Sequence, residues 1–176
     1  MRVRNPGLLL AVAGLAGCTS IGDLPTERIG SATLTYANGL PAGTAQLLSD
    51  GSTVSLAIAV TGMEAGPHGF HLHTTGACRA PDFKSAGGHL NPSGASHGTM
   101  SPNGSHLGDL PNLEVGSSGS AGVTVEIDGE YEDVLSAIFD QDGTAIVIHE
   151  GPDDYRTDPA GDAGGRIACG VLSRSG

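Results

Sequence analysis

Aromatic side chains are scarce in this chain, which has no Trp and only three Phe and three Tyr among 176 residues. The core must therefore be built mainly from Val, Ile, Leu and Ala. The length predicts one domain that can bury such a core by itself. The 29 Gly and 10 Pro separate alternating apolar runs and form no low-complexity tract, so they predict many turns and not disorder.

Basic residues are also few, because 8 Lys and Arg stand against 19 Asp and Glu, for a net charge of −11. Nucleic acids and anionic membrane surfaces both require basic patches on a protein. We therefore expect no nucleic-acid partner, and contact with a membrane only through a lipid anchor. The same charge opposes an anionic substrate unless local positive charge compensates for it.

The first 17 residues have the pattern of a lipoprotein-type signal peptide. Arg2 and Arg4 precede an apolar stretch, residues 8–15, that is too short to span a bilayer. Leu15-Ala-Gly-Cys18 resembles the lipobox of bacterial lipoproteins, in which the cysteine becomes the lipidated first residue. Ordinary cleavage after Ala11-Val-Ala13 is the alternative.

The signal peptide sets the expected organisation of the rest of the chain. We predict a polar tether over residues 18–28 and a single domain over residues 29–176. The protein is expected to be exported to the periplasm or cell envelope and held at a membrane by lipid on Cys18.

Alternating apolar runs predict an all-β domain. Val54, Leu56, Ile58 and Val60 share one face of a strand, and residues 123–127 alternate in the same way. Only residues 131–137 have the pattern of a short helix. Hairpin-type dipeptides occur at Asn38-Gly39, Asp50-Gly51, Asp128-Gly129 and Asp142-Gly143. Together these features predict an antiparallel sandwich or flattened barrel of about eight strands with long loops.

Histidine is concentrated in one part of the chain. Six of the seven histidines lie between residues 68 and 106, and His149 follows the strand-like run Ala-Ile-Val-Ile. Side chains alternate along a strand, so His71 and His73 share one face while Phe70 and Leu72 occupy the other. His149 would add a third nitrogen from a neighbouring strand. This pattern predicts a metal site.

A second group of ligand-type residues lies in a stretch rich in Gly, Ser, Asn and Pro, which predicts a loop that can wrap around an ion. The group consists of His89, His97, His106 and Asp109. Nitrogen-only ligation suits copper in tetragonal geometry, and a histidine set closed by one carboxylate suits tetrahedral zinc. The residues therefore predict a two-metal site with long metal-binding loops.

These motifs resemble those of the bacterial copper/zinc superoxide dismutases over roughly residues 30 to 173. They occur in the family's order and at its spacing. The matching segments are Gly69-Phe-His-Leu-His73, Ser85-Ala-Gly-Gly-His-Leu-Asn-Pro92, His97-Gly98, His106-Leu-Gly-Asp-Leu110, Ile146-Val-Ile-His149 and Gly165-Arg-Ile-Ala-Cys-Gly170. The resemblance implies a Greek-key fold and an oxidoreductase. The enzyme would convert superoxide to O2 and H2O2 by alternating reduction and reoxidation of a copper ion that a histidine bridges to zinc.

The resemblance also implies a role for individual positions. It gives copper the ligands His71, His73, His89 and His149, and zinc the ligands His89, His97, His106 and Asp109, so that His89 bridges the two ions.

Other residues near these ligands take roles by the same resemblance. Arg166 would stand beside the copper and act on superoxide, and Asp153 would link a copper-ligand histidine to a zinc-ligand histidine. Asp154 is the alternative for that link. His68 fits neither ligand set and is interpreted as a hydrogen-bonded structural histidine.

Three cysteines in an oxidising compartment would leave one reactive thiol, unless Cys18 is consumed by lipid. Cys78 and Cys169 then remain as a pair. In the family, the equivalent positions form a disulfide between the metal loop and the last strand. Two buried free thiols are the alternative.

Other functions fit these residues less well than the enzyme. A non-enzymatic copper-binding or copper-storage lipoprotein on the same fold would be expected to lack a ligand, the bridge or the arginine, and none is missing. A purely structural zinc module would not need the histidines assigned to copper. A zinc-protease motif at His149-Glu150 fails because Asp153 stands where the second histidine is required. We therefore expect a superoxide dismutase, on the site and not on the fold alone.

Overall fold

The computed structural model describes residues 26–175. The predicted signal peptide, Cys18 and the tether up to residue 25 lie outside the described residues. The first strand begins at Glu27, within the last two residues assigned to the tether. Among the described residues, no helix is long and apolar enough to cross a membrane.

Ten strands, one α-helix and one short 3-10 turn make up the secondary structure of residues 26–175. In chain order they are β1 (Glu27–Tyr36), β2 (Pro41–Ser49), β3 (Val54–Thr61), β4 (Gly66–His68), β5 (Phe70–His73), the 3-10 turn (Lys84–Ala86), β6 (Leu113–Val115), β7 (Ser120–Ile127), α1 (Tyr131–Ile138), β8 (Ala145–His149), β9 (Arg166–Val171) and β10 (Ser173–Arg174).

Eight of these strands form one antiparallel sheet that curls into a half-barrel. The order is β5-β8-β9-β1-β2-β3-β7, with β10 paired to β1, while β4 and β6 pair separately. Because β3 pairs with β7 and β5 with β8, strands that are far apart in the chain lie side by side. The predicted antiparallel all-β fold is confirmed.

The core fills the inside of the curled sheet with aliphatic side chains. Val54, Leu56, Ile58 and Val60 of β3 are all buried, as the alternation predicts. The matching prediction for β7 holds in part, because Ile127 is buried and Val125 packs partly buried against the core, while Val123 is 37% exposed. The reason is that β7 is the terminal strand in the order of the sheet and has β3 on one side only.

The turn dipeptides divide into two kinds. Asn38-Gly39 joins β1 to β2 and Asp50-Gly51 joins β2 to β3, so both are hairpin turns as predicted. The hairpin prediction is wrong for the other two. Asp128-Gly129 leads from β7 into α1, and Asp142-Gly143 precedes β8. The same dipeptides allow any sharp reversal, and the next element of the chain decides whether a hairpin forms. The predicted short helix is confirmed as α1.

The long loop between β5 and β6 is attached to the outer edge of β5. The amide of Leu72 donates to Gly108 O at 3.0 Å, and the amide of Leu90 donates to Leu72 O at 2.8 Å. His71 and His73 lie opposite Asp109 and His89 in isolated bridges. These contacts bring the loop histidines against the strand histidines.

A disulfide between Cys78 and Cys169 ties the first part of this loop to β9, with a Cα separation of 5.6 Å across 91 residues of chain. The predicted pairing is confirmed, and the alternative of two free thiols is wrong. Cys169 is buried beside Phe83 and Val147, so the link anchors the loop at the interior of the sheet.

Candidate metal centre

Four histidines converge at one end of the sheet. His71 and His73 come from β5, His149 comes from the end of its neighbour β8, and His89 comes from the loop. One ring nitrogen of each lies within 4.8 Å of one ring nitrogen of every other member, and all four side chains are buried. We call this group the first histidine set.

Within the first histidine set, each ring has one nitrogen held and one free. Nε2 of His71 contacts Asp153 Oδ2 at 2.7 Å, and Nδ1 of His89 contacts Asp109 Oδ1 at 2.8 Å. Nδ1 of His73 donates to Gly87 O at 3.0 Å, and Nδ1 of His149 donates to Gly164 O at 3.2 Å.

The other nitrogens are buried and have no hydrogen-bond partner among the described residues. They are His71 Nδ1, His73 Nε2, His89 Nε2 and His149 Nε2. A carbonyl oxygen only accepts, so in His73 and His149 the held nitrogen carries the proton and the free nitrogen keeps its lone pair. Four buried lone pairs aimed at one point are the donor set of a soft or borderline transition metal, and they fit copper.

A second group, the second set, surrounds Asp109. Its Oδ1 atom lies 2.8 Å from Nδ1 of His89, 3.1 Å from Nδ1 of His97 and 3.1 Å from Nδ1 of His106. Its Oδ2 atom accepts the backbone amides of Gly98 and His106 at 2.8 and 3.0 Å, which fixes the carboxylate plane. Three imidazole nitrogens and one carboxylate oxygen form a donor set that fits tetrahedral zinc.

His89 belongs to both sets through opposite nitrogens. Its Nδ1 atom faces Asp109, while Nε2 faces the first histidine set. The ring stacks on that of His71 with 3.9 Å between centroids. One rigid imidazole therefore fixes the spacing of the two sets.

Burial keeps the first histidine set neutral. It lowers the pKa of His73 to about 2, that of His149 to about 3 and that of His89 to about 4, and it lowers the pKa of His71 as well. A neutral imidazole is the form that binds a metal ion.

The two buried carboxylates of the site, in contrast, stay charged. Burial opposes ionisation of Asp109 and Asp153, yet hydrogen bonds that each accepts, from His89 and from His71 respectively, outweigh it, and both pKa values lie below the ordinary range.

Asp153 provides a second link between the two sets. Oδ2 contacts His71 Nε2 at 2.7 Å and Oδ1 contacts His97 Nε2 at 3.0 Å. Asp154, the alternative by spacing, is exposed and accepts hydrogen bonds from Arg156 and Thr157 of its own turn. The structure thus brings Asp153, and not Asp154, to the histidines.

Arg166 lies at the start of β9, paired in register with His149. Its guanidinium donates to Phe83 O at 2.9 Å and to Gly87 O at 2.7 Å, the same carbonyl that holds His73. The side chain is half-buried and forms no ion pair among residues 26–175. Its positive charge is therefore free to meet an anion beside the first histidine set.

His68 stands apart from both sets. Its ring nitrogens contact the carbonyl oxygens of His149 and Glu64 at 2.8 and 3.0 Å. It thereby holds the backbone of His149 and offers no ring nitrogen to the first histidine set.

Several contacts at the site have no signature in the sequence. The backbone amide of His97 donates to Asp158 Oδ1 at 2.6 Å, and the side chain of Asn112 contacts the backbone of Asp153. Asx-type residues in loops commonly satisfy backbone groups, but their partners 41 to 61 residues away depend on tertiary structure.

The pKa values predict how the metal-free protein responds to acid. An unfolded-chain histidine takes up a proton near pH 6.5, whereas His89, His149 and His73 stay neutral in the folded chain to about pH 4 or below. Between these limits the unfolded chain binds more protons, so the free energy of unfolding should fall as the pH falls from about 6.5 towards 4. Urea unfolding of the EDTA-treated protein across this range measures it. A constant free energy of unfolding would contradict the prediction.

Known proteins resemble this chain both in sequence and in structure. A family model described as copper/zinc superoxide dismutase matches residues 41–172. A protein named superoxide dismutase [Cu-Zn] 2 from Aquifex aeolicus is 42% identical over 135 residues, which cover 74% of this chain and 78% of the relative. A superoxide dismutase [Cu-Zn] from Caulobacter vibrioides is 35% identical and covers 92% of this chain and 95% of its own. The crystal structure of a SOD-like protein from Bacillus subtilis superposes with a TM-score of 0.76 at 39% identity, over 81% of this chain and 97% of that one.

Proposed function

Because the chain belongs to the copper/zinc superoxide dismutase family, we propose that its first histidine set binds copper and its second set binds zinc. The chain is an oxidoreductase that converts two superoxide ions and two protons to O2 and H2O2. The observation that carries this function is the pair of complete donor sets that share His89 through opposite ring nitrogens.

The roles of the site residues depend on what each can hold. Copper, when bound, supplies the one-electron couple that accepts an electron from one superoxide and returns it to a second, and zinc supplies a fixed charge beside it. His89 keeps Nδ1 on the zinc side, and its Nε2, which would be a copper ligand, would hold a proton for the substrate only while it is not bound to copper. Asp153 and the carbonyls of Gly87 and Gly164 hold the remaining rings in one orientation.

Arg166 is proposed to bind and orient superoxide. Its guanidinium is fixed by two carbonyls, so its remaining N–H donors are pre-oriented for a small anion at little entropic cost. Lys84, another cation of the same region, pairs with Asp82 at 3.2 Å on the exposed surface, which reduces its value for attraction.

A non-enzymatic copper-binding or copper-storage lipoprotein is the alternative function. The donor sets, the shared histidine and the arginine are all present and close together, which favours the enzyme.

The metal assignment predicts different effects for two histidines. His89→Ala should lower both copper and zinc content and abolish superoxide decay, because one ring serves both sets. His97→Ala should mainly lower zinc, since that ring belongs to the second set alone. Elemental analysis and superoxide decay, with and without a copper chelator, measure both effects on protein loaded with one copper and one zinc. Full copper and zinc in the His89 variant would exclude the shared-ligand assignment.

The role of Arg166 predicts an electrostatic effect on rate. Arg166→Ala should lower kcat/KM about tenfold, the lower end of the range for electrostatic steering, and Arg166→Glu should lower it further. Copper and zinc contents should stay unchanged. As salt rises, the rate of the wild type should fall relative to that of the glutamate variant, because screening removes local attraction in one and local repulsion in the other. Pulse radiolysis across ionic strength provides the measurement.

Arg156 offers a matched control, since it is exposed and its replacement by Ala changes the net charge equally. If Arg156→Ala and Arg166→Ala lower the rate equally, the effect comes from net charge and the proposed local role is wrong.

We also propose that the protein is exported and lipid-anchored, with a signal peptide over residues 1–17, a tether over 18–28 and the catalytic domain over 29–176. Support comes from the lipobox pattern that ends at Cys18. Cys18→Ser should therefore abolish fatty-acid labelling and yield an active soluble form or an unprocessed precursor, because the thiol that would carry the lipid is gone. Absence of labelling in the wild type would favour ordinary secretion.

A further inference from the structure

Asn112 makes a two-point contact with the backbone of Asp153. It lies three residues after Asp109 and immediately before β6. Its Nδ2 donates to Asp153 O at 2.9 Å, and its Oδ1 accepts from Asp153 N at 2.8 Å. The backbone amide only donates and the carbonyl only accepts, so the partners themselves define which way the side-chain amide faces.

Tyr155 completes the attachment. Its hydroxyl accepts the backbone amide of Asn112 at 2.8 Å, and its own amide donates to Asp153 Oδ1 at 2.6 Å. Asp153 is therefore held at its backbone N–H, at its backbone C=O and at one carboxylate oxygen. The first two contacts come from the side chain of Asn112, and the third comes from the backbone amide of Tyr155, whose hydroxyl contacts the backbone of Asn112.

The backbone of Asp153 depends on these side chains because it lies between β8 and β9, outside any strand. Backbone polar groups that are buried outside a sheet must find other partners. The nearby amides of Gly151 and Asp154 pair with Ala163 and Gly161 across the same loop, whereas both backbone groups of Asp153 pair with Asn112.

The position of Asp153 matters because its carboxylate spans both sets. The side chain is 1% exposed and lies 2.7 Å from His71 Nε2 and 3.0 Å from His97 Nε2. By accepting from Nε2 in both rings, it leaves Nδ1 of His71 for the first histidine set and Nδ1 of His97 for the second. A small displacement of Asp153 would loosen both rings together.

We propose that Asn112 is a positioning residue for both metal sites and that it acts through Asp153. This inference rests on the proposed function in one respect, that the two sets bind copper and zinc. Asn112 is neutral and belongs to neither donor set, but through Asp153 it would keep one histidine of each set in its metal-binding tautomer.

The test compares Asn112→Ala with Asn91→Ala. Asn91 is a matched control because its side chain makes the same two-point contact with a backbone, at 2.9 and 3.0 Å from Ala95, in the same loop. Asn112→Ala should weaken copper and zinc binding about tenfold each, the low end of the range for partners of metal ligands. Asn91→Ala should leave both within about twofold of the wild type, since its contact does not reach Asp153.

Affinity is measured by competition with chelators, and ring orientation by two spectra. The Cu(II) electron paramagnetic resonance signal reports on the first histidine set, and the visible bands of Co(II) in place of zinc report on the second. Both spectra should change in Asn112→Ala, and neither should change in Asn91→Ala. Asn112→Asp keeps the shape and the accepting oxygen but places an oxygen where the donor to Asp153 O stood, so it should also weaken both metals and change both spectra, and it serves if the alanine variant does not fold.

A double variant tests whether Asn112 acts through Asp153. If it does, adding Asn112→Ala to Asp153→Ala should cause no further loss of metal affinity, because the carboxylate that transmits the effect is already gone. Losses that multiply in the double variant would overturn the proposal. So would an Asn112 variant whose affinities and spectra match those of Asn91→Ala. If the wild type itself fails to bind one copper and one zinc, the proposed function fails instead, which keeps the two outcomes separate.

Discussion

Every histidine of the first set has two ring nitrogens, and the site depends on one of them being tied down. A free imidazole can exchange tautomers and rotate, so it presents its lone pair in more than one direction. Here carbonyl and carboxylate oxygens hold the outer nitrogens of His71, His73 and His149, while Nδ1 of His89 faces Asp109 within the second set. These contacts cost little in the buried interior because each is a satisfied polar pair. They convert four flexible side chains into one preformed donor set.

That arrangement requires the loops to approach closely, and two glycines allow it. Gly161 adopts φ +64°, and a Cβ there would overlap the carboxylate of Asp153. A Cβ at Gly108 would overlap the carbonyl of Leu72, where the loop lies against the edge of β5. Any larger residue at either position would therefore force the loop to shift away from its neighbour. The disulfide at Cys169 holds the other end of the loop that contains Gly108.

The chain is strongly acidic overall, but it has a local positive charge, Arg166, beside the first histidine set. The whole chain carries −11, which repels an anion at long range. Removal of Arg2 and Arg4 with the proposed signal peptide would leave −13. Arg166 is held by backbone carbonyls and not by a carboxylate, so its charge is not neutralised by an ion pair within residues 26–175. We propose that this local charge, and not the net charge, attracts superoxide to the first histidine set.

The antiparallel fold, the buried face of β3 and the two-part donor group of histidines and Asp109 can all be derived from the order of the amino acids. Those features arise from period-two alternation and from ligand-type residues that cluster in the chain. Packing of the whole chain was needed to decide that Asp128-Gly129 and Asp142-Gly143 flank a helix, that Val123 is exposed, and that Asn112 holds Asp153. The physical reason is the sequence separation of the interacting residues. Alternation is a local property of the chain, whereas sheet order and a hydrogen bond across 41 residues exist only after the chain has packed.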